Sequence, residues 1–140
     1  MAEKLFPNQK IIVHTDGGAR GNPGLAAVGV MIGSRKYSER IGYTTNNVAE
    51  YQAVIFALKK LNVLVGKKAV KELEVEIRTD SELLAKQLGG KYKIKDADLQ
   101  PLFIEIWNLK QDFKNVAFTQ IPREQNKEAD KLVNEALDKK

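Results

Sequence analysis

The chain has 140 residues, of which 43% are hydrophobic, and it carries a net charge of +5 at pH 7 with no cysteine and one histidine. This composition can bury the core of one ordinary domain, and it excludes disulfides, thiolate metal sites and zinc sites built from several histidines. Any metal must be held by carboxylates, whose hard oxygen ligands favour magnesium or manganese, and the basic charge suits a polyanionic partner.

The N-terminal part of the chain predicts three strands after a loose lead-in over residues 1–8. The lead-in contains no apolar signal segment and no later stretch is apolar enough to span a membrane, so we expect a cytoplasmic protein without membrane contact. The β-branched residues 10–15 predict the first strand, and the glycines of residues 17–24 predict a loop. Residues 26–32 and 37–43 predict two further strands that pair antiparallel across a short turn.

The rest of the chain alternates helices and strands. Asn46 or Asn47 would cap a first helix, whose apolar positions recur at helical spacing at Val48, Tyr51, Val54, Ile55, Leu58 and Leu61. Residues 73–79 alternate apolar and charged side chains, which predicts a strand with one apolar face. Ser81 would cap a short helix that ends at two glycines. A lysine-rich connector and a helix with Trp107 in its buried face follow.

A fifth strand over residues 116–121 and a last helix that includes residues 129–137 complete the order βββαβααβα. Helical crossovers of this length imply parallel pairing of the strands they join. We therefore predict an α/β fold, with one mixed five-stranded sheet flanked by helices on both faces, in a single domain over residues 1–140.

Four acidic residues lie at predicted element boundaries. Asp16 and Asp80 each end a strand, and Glu50 and Asp130 lie in the first turn of a helix. Strand C-termini and helix N-termini share one rim of a parallel α/β sheet, where four carboxylates would repel one another unless divalent cations neutralised them. Two such cations can clamp an in-line phosphoryl displacement. Each acid alone is typical of a turn or a helix-dipole partner, so spacing leaves a metal site and a structural set both open.

Four short motifs in the chain resemble the signatures of the type 1 ribonuclease H family. They are TDGGARGNPG over residues 15–24, TNNVAEY over 45–51, TDS over 79–81 and NKEAD over 126–130. All four occur in order and at family spacing, and the match extends over nearly the whole chain. The resemblance implies the ribonuclease H-like fold and a monomeric endonuclease. Such an enzyme hydrolyses the RNA strand of an RNA–DNA hybrid with two Mg²⁺ ions, for which Mn²⁺ can substitute.

The resemblance also assigns residues to the catalytic metal site and to the substrate. The implied metal ligands are Asp16, Glu50, Asp80 and Asp130. Glycines at positions 17 and 18 would let a substrate backbone approach closely, with a tight turn as an equal alternative. Asparagines would reach ribose and phosphate oxygens, including the 2′-hydroxyl that distinguishes RNA from DNA. The substrate set from these motifs is Gly17, Gly18, Asn22, Asn46, Asn47 and Ser81.

One departure from the family is the absence of a histidine from the loop after the fifth strand, residues 122–126. Many members use that histidine in proton transfer or product release, so Arg123 or Glu124 are candidates for an accessory role. The single histidine, His14, lies on the first strand and is expected to be structural. Asn126 is expected to cap and orient the last helix.

A second departure is the absence of the long basic protrusion that many relatives carry before the helix containing Trp107. Only residues 91–95 fill that space, and their alternating Lys91, Lys93 and Lys95 would contact the DNA backbone, with a solvated loop as the equal alternative. Weaker hybrid affinity and a broader substrate choice that includes double-stranded RNA would follow.

Three other functional classes compete with this interpretation. A 3′ exonuclease on the same fold is disfavoured by the closeness of the four motifs. A hybrid-binding module without catalysis is disfavoured because all four acids are present. A structural domain of a larger protein is disfavoured because the predicted elements form a fold without a second domain.

Overall fold

The computed structural model describes residues 10–139, so the predicted lead-in lies outside the described part of the chain. The order of strands and helices agrees with the prediction. The elements are β1 Lys10–Gly21, β2 Gly24–Ile32, β3 Arg35–Thr44, α1 Asn46–Val65, β4 Glu74–Thr79, α2 Glu82–Leu88, α3 Gln100–Lys110, β5 Asn115–Gln120 and α4 Lys127–Asp138. Short 3₁₀ turns over Ala69–Glu72 and Arg123–Gln125 precede β4 and α4.

The five strands form one mixed sheet in the order β3-β2-β1-β4-β5. Strands β1, β2 and β3 pair antiparallel, whereas β4 pairs parallel with both β1 and β5. The C-terminal end of β4 therefore lies beside the middle of the longer strand β1. The predicted parallel pairing across a helical crossover holds for β4 and β5, which α2 and α3 connect. It does not hold for α1, which connects β3 to β4 although β2 and β1 lie between these two strands.

Helices cover both faces of this sheet, which confirms the predicted layers. On one face α1 buries a stripe at helical spacing, formed by Tyr51, Val54, Leu58 and Leu61, each with no exposed area. On the other face Ala27 of β2 packs against Val133 and Ala136 of α4.

Two glycines allow these helices to lie unusually close to the sheet. A Cβ atom at Gly17 would lie 2.2 Å from the backbone carbonyl carbon of Ala49 in α1. A Cβ atom at Gly29 would lie 2.2 Å from the carbonyl oxygen of Ala129 in α4. Any side chain at either position would push a helix away from the sheet.

The predicted loop over residues 17–24 is wrong. Strand β1 continues to Gly21 and pairs with β2 down to the Gly21–Gly24 pair, so only a two-residue turn with a cis Asn22–Pro23 peptide bond remains. Hydrogen bonds from β2 override the weak strand preference of glycine. Asp16 consequently lies within β1 and not at its end.

Three helical predictions also need correction. The N-cap of α1 is Thr45, whose hydroxyl accepts from the backbone N–H of Val48, and neither Asn46 nor Asn47. Glu50 consequently falls in the second turn of α1 and not the first. Trp107 is 52% exposed and not a core residue, because α3 packs chiefly against α1 and leaves part of its apolar stripe uncovered.

Candidate active site

Strand register brings two of the predicted metal ligands side by side. In the parallel pair of β1 and β4, His14 lies opposite Arg78. Continuing this register by two residues on each strand places Asp16 beside Asp80, which follows β4 directly. Asp16 also lies opposite Gly29 across the antiparallel pair, so its side chain points to the face covered by α4.

The carboxylates of Asp16, Glu50 and Asp80 each offer an oxygen, and these oxygens lie within 4.8 Å of one another. The close approach of α1 at Gly17 explains how Glu50 joins the two strand residues, because the Gly17 N–H donates to Glu50 Oε1 at 3.1 Å. Asp130 on α4 lines the same cleft as this carboxylate cluster, and its charge contributes to the raised pKa of Asp16. All four predicted acids therefore come together.

Burial and mutual repulsion raise the pKa values of Asp16, Glu50 and Asp80. Burial, followed by the charges of Asp80 and Asp130, raises the pKa of Asp16 to about 7. Burial, followed by the charges of Asp16 and Asp80, raises the pKa of Glu50 well above its ordinary value. The pKa of Asp80 is also raised, mainly by burial, although the nearby Arg123 guanidinium opposes this rise.

The donor set fits a divalent cation. Several carboxylates that share a small, largely buried volume are stabilised when a cation takes the place of their protons. The donors are all oxygens, which suit magnesium or manganese and not the softer metals. The chain thus supplies a metal site of hard ligands, with Asp130 at its edge.

A buried amide joins the helix of Asp130 to the strand of Asp16. Asn126 occupies the N-cap position of α4, but its side chain makes no capping bond, contrary to the prediction. Its Nδ2 instead donates to the carbonyl oxygen of Thr15 at 3.0 Å, and Asn126 is only 1% exposed. The first turn of α4 is thereby fixed to β1 immediately before Asp16.

The four acids line an open cleft of about 380 Å³ that also contains several predicted substrate residues. Gly17, Gly18 and Asn46 line it, together with Arg123. The cleft is also lined by residues that were not predicted to belong to the site. These are Ala19, Arg20, Val133, Asn134 and Leu137.

Arg20 and Asn134 could have been found from the sequence. Arg20 lies inside the first motif, and Asn134 follows Asp130 by four residues, which places both on the same side of α4. Arg20 donates to Asn134 Oδ1 at 3.3 Å and pairs with Asp138 at 2.7 Å. This arginine therefore joins the β1–β2 hairpin to the end of α4 at the edge of the cleft.

Two of the three asparagines predicted to contact the substrate are joined to each other. The backbone N–H of Asn46 donates to Asn22 Oδ1 at 3.0 Å, and the Ala19 N–H donates to Asn46 Oδ1 at 2.8 Å. These bonds use the acceptor oxygen of each amide. The NH₂ groups are the donors that each side chain can still offer to a ligand.

The remaining predicted residues lie away from the lining of the cleft. Ser81 caps α2 through its hydroxyl, which accepts from the Leu84 N–H at 3.1 Å. Other exposed candidates, on the start of α1, the α2–α3 connector and the turn before α4, are Asn47, Lys91, Lys93, Lys95 and Glu124.

Arg123 Nε, in contrast, lies 4.0 Å from Asp80 Oδ2 on a 90% exposed side chain. His14 is half-buried on β1, and burial followed by the charge of Arg78 lowers its pKa.

The chain is similar in sequence to a known protein family and to individual relatives. Residues 14–136 match the model of the family described as reverse transcriptase-like. Ribonuclease HI of Halobacterium salinarum is 37% identical over 138 residues, which cover 92% of this chain and 65% of that protein. A bifunctional protein of Mycobacterium tuberculosis is 35% identical over 136 residues, which cover 92% of this chain and 36% of that protein. The chain thus matches only part of each of these relatives.

Solved structures share the whole fold. The LC11 ribonuclease H1, whose structure was determined in complex with an RNA/DNA hybrid, is 49% identical with a TM-score of 0.86, over 91% of this chain and 96% of that one. The ribonuclease H1 of Halobacterium salinarum is 37% identical with a TM-score of 0.84, over 92% and 98% of the two chains. Among residues 10–139, no helix is long and apolar enough to cross a bilayer.

Proposed function

Because this chain belongs to the reverse transcriptase-like family and, within it, to the type 1 ribonucleases H, we propose that it is an endonuclease that hydrolyses the RNA strand of RNA–DNA hybrids. The observation that carries the proposal is the carboxylate cluster of Asp16, Glu50 and Asp80, with oxygens within 4.8 Å, at the base of an open cleft. Asp130 completes the set of acids from the fourth motif.

These acids would hold divalent cations, for which we infer two Mg²⁺ ions, with Mn²⁺ as a substitute. The bound cations would supply the Lewis acidity that activates water and neutralises charge on the phosphate. The protein contributes the fixed positions of the ligands. Glu50 is held by the Gly17 N–H, and the helix of Asp130 is held to β1 by Asn126.

Other residues at the cleft can recognise the two strands. The NH₂ groups of Asn22 and Asn46 can donate to ribose oxygens, including the 2′-hydroxyl that DNA lacks. Arg123 is exposed at the mouth and can pair with a phosphate, but its guanidinium cannot transfer protons. Glu124 remains the candidate for accepting a proton.

The exposed lysines at positions 91, 93 and 95 would neutralise phosphates of the DNA strand. Since this connector is short, we infer that few phosphates are contacted, and that double-stranded RNA is an additional substrate. We expect the protein to act as a monomer, because one chain contributes all four acids of the cleft.

The test is cleavage of an internally labelled RNA–DNA hybrid with both ends blocked, in Mg²⁺, in Mn²⁺ and in excess chelator. We expect internal RNA fragments in either metal and none in chelator. The Asp16→Asn protein is the negative control, and double-stranded RNA and double-stranded DNA are the comparison substrates. Cleavage that requires a free end would favour an exonuclease, and hybrid binding without cleavage would favour a binding module.

A further inference from the structure

The connector between α2 and α3 is hydrogen-bonded to both helices over residues 91–94. The backbone N–H groups of Lys91 and Tyr92 donate to the carbonyl oxygen of Lys86, at 2.8 and 3.2 Å. Further along, the Gln100 side chain donates to the carbonyl oxygen of Ile94 at 2.9 Å. The lysine side chains of this segment are exposed, but its backbone is anchored.

Between these two anchors lies a buried glutamine. Gln87 is only 5% exposed, and its Nε2 donates to the carbonyl oxygen of Lys93 at 3.2 Å. Its Oε1 accepts from the hydroxyl of Tyr51 at 2.6 Å, and Tyr51 has no exposed area. Since both ends of the amide are bonded, the side chain of Gln87 has one defined orientation.

Burying a polar side chain at this position has a free-energy cost. A buried amide loses its hydration and recovers the cost only through paired hydrogen bonds, whereas an apolar side chain of similar length would fill the same space without that cost. Gln87 provides two groups that an apolar residue cannot, an acceptor for the buried Tyr51 hydroxyl and a donor directed at the backbone of Lys93. The amide is therefore suited to holding the connector.

The same amide links the connector to α1 and α2. Tyr51 directly follows Glu50 on α1, and Gln87 lies on α2, which begins after Asp80. The hydrogen-bonded chain Tyr51–Gln87–Lys93 thus links α1 and α2 to the backbone of the connector that carries the lysines.

We propose that Gln87 is a positioning residue for substrate binding, which fixes the backbone of Lys93 so that the connector lysines meet the nucleic-acid backbone at a set distance from the cleft. This inference rests on the proposed function, because it takes a polyanionic duplex as the ligand. A connector that is already fixed loses less conformational entropy when the substrate binds, so Gln87 increases the affinity for the substrate. The chemical step at the carboxylate cluster is untouched.

The experiment compares Gln87→Met with the unaltered protein and with Val70→Ala, a control variant that shortens a buried side chain away from the connector. Methionine keeps the length of the side chain and removes both hydrogen bonds. We expect the KM for the hybrid to rise on the order of fivefold, with kcat changed by less than about twofold. The slope of log affinity against log salt should shrink by roughly 0.7–0.9, the value of one phosphate contact. Val70→Ala, at the one buried position of the 3₁₀ turn before β4, should lower the melting temperature but leave the KM and the salt slope unchanged.

A combined variant separates positioning from general destabilisation. In a protein that carries Lys91→Ala, Lys93→Ala and Lys95→Ala, adding Gln87→Met should not raise the KM further, because the side chains it positions are gone. An equal rise in KM with and without the lysines would overturn the proposal. So would a Gln87→Met protein with normal KM and normal salt slope.

Failure of the proposed function would look different. If the unaltered protein neither binds nor cleaves the hybrid, the proposed function fails, and limited trypsin digestion still tests whether Gln87 holds the connector. Gln87→Met should then be cut faster after Lys91, Lys93 and Lys95 than Val70→Ala under conditions where both are folded. Equal rates of cutting would overturn the structural part of the inference.

Discussion

Gly17 and Gly18 are neighbours in β1, yet an added methyl group meets different surroundings at each position. At Gly17 it would overlap the backbone of Ala49, whereas at Gly18 its nearest neighbour would be Val133 Cγ1 at 3.6 Å, an ordinary contact. Gly17 is thus required by the packing of α1, in addition to the approach of a substrate predicted for it. Gly18 lines the cleft, and the protein itself leaves room for a side chain.

Alanine at the two positions should therefore separate stability from binding. We expect Gly17→Ala to cost about 3 kcal/mol of the free energy of unfolding, because α1 must shift. The melting temperature should then fall by roughly 10 °C. Gly18→Ala should leave the melting temperature almost unchanged and raise the KM for the hybrid. Thermal unfolding and steady-state kinetics of both variants check this, and a destabilised Gly18→Ala protein with normal KM would contradict it.

Asp16 lies at the centre of the carboxylate cluster, between Asp80, Glu50 and Asp130. Asp16→Asn removes a metal ligand, and we expect the cleavage rate to fall by a factor on the order of 10³ or more. Asp112→Asn, which changes an exposed carboxylate outside the cleft, is the matched control and should retain full activity. Rates should be measured at saturating metal on folded protein, and a near-normal rate for Asp16→Asn would show that the metal site lies elsewhere.

At the scale of helices and strands, local periodicity in the sequence was sufficient to predict their order. The alternation in β4 and the apolar stripe of α1 are properties of short segments, and both survive in the fold. Features that depend on a distant partner were not predictable in this way. The glycine-rich end of β1 is a strand only because β2 pairs with it, and Trp107 is exposed because α3 has too little surface to pack against.

In the candidate site, too, some features follow from the local sequence and others depend on contacts between distant segments. The identity of the four acids followed from motifs, and the place of Asp80 followed from its position after a strand. The way Glu50 and Asp130 reach the cluster did not follow, because it depends on Gly17 in β1 and on the bond from Asn126 to Thr15. Both are contacts between segments far apart in the chain, for which no local pattern exists.

The Asn126–Thr15 bond makes a prediction about α4 as an element. Asn126→Ala removes the buried hydrogen bond to the Thr15 carbonyl, which should cost about 1–3 kcal/mol of the free energy of unfolding. Because the first turn of α4 carries Asp130, we also expect kcat to fall more than the KM rises. Glu135→Ala, an exposed position on the same helix, should change neither quantity. Loss of stability with unaltered kcat would mean that Asn126 does not position Asp130.

For the molecule as a whole, the carboxylate cluster is a source of instability that depends on pH. Asp16 has a pKa of about 7 in the folded protein, against an ordinary value of 3.8. Below about pH 4 the group is protonated in both folded and unfolded chains. Between pH 4 and 7 the unfolded chain ionises freely while the folded protein retains the proton, so the stability contributed by this group declines as the pH rises. The raised pKa values of Glu50 and Asp80 act in the same direction.

In chelator, the free energy of unfolding of the unaltered protein should therefore fall relative to that of Asp16→Asn as the pH rises from 4.5 to 7. The difference should level off above pH 7 at on the order of 3 kcal/mol. Taking this difference cancels the contribution of His14, whose lowered pKa favours the folded state as the pH rises and is common to both proteins.

Added Mg²⁺ should reverse the trend, since cations bind the ionised cluster, and its stabilising effect should grow with pH in the unaltered protein more than in Asp16→Asn. Urea unfolding at several pH values, with chelator and with Mg²⁺, measures both effects. Parallel pH profiles for the two proteins in chelator would show that Asp16 does not hold its proton in the fold, and the carboxylates would then be less tightly clustered than the structure indicates.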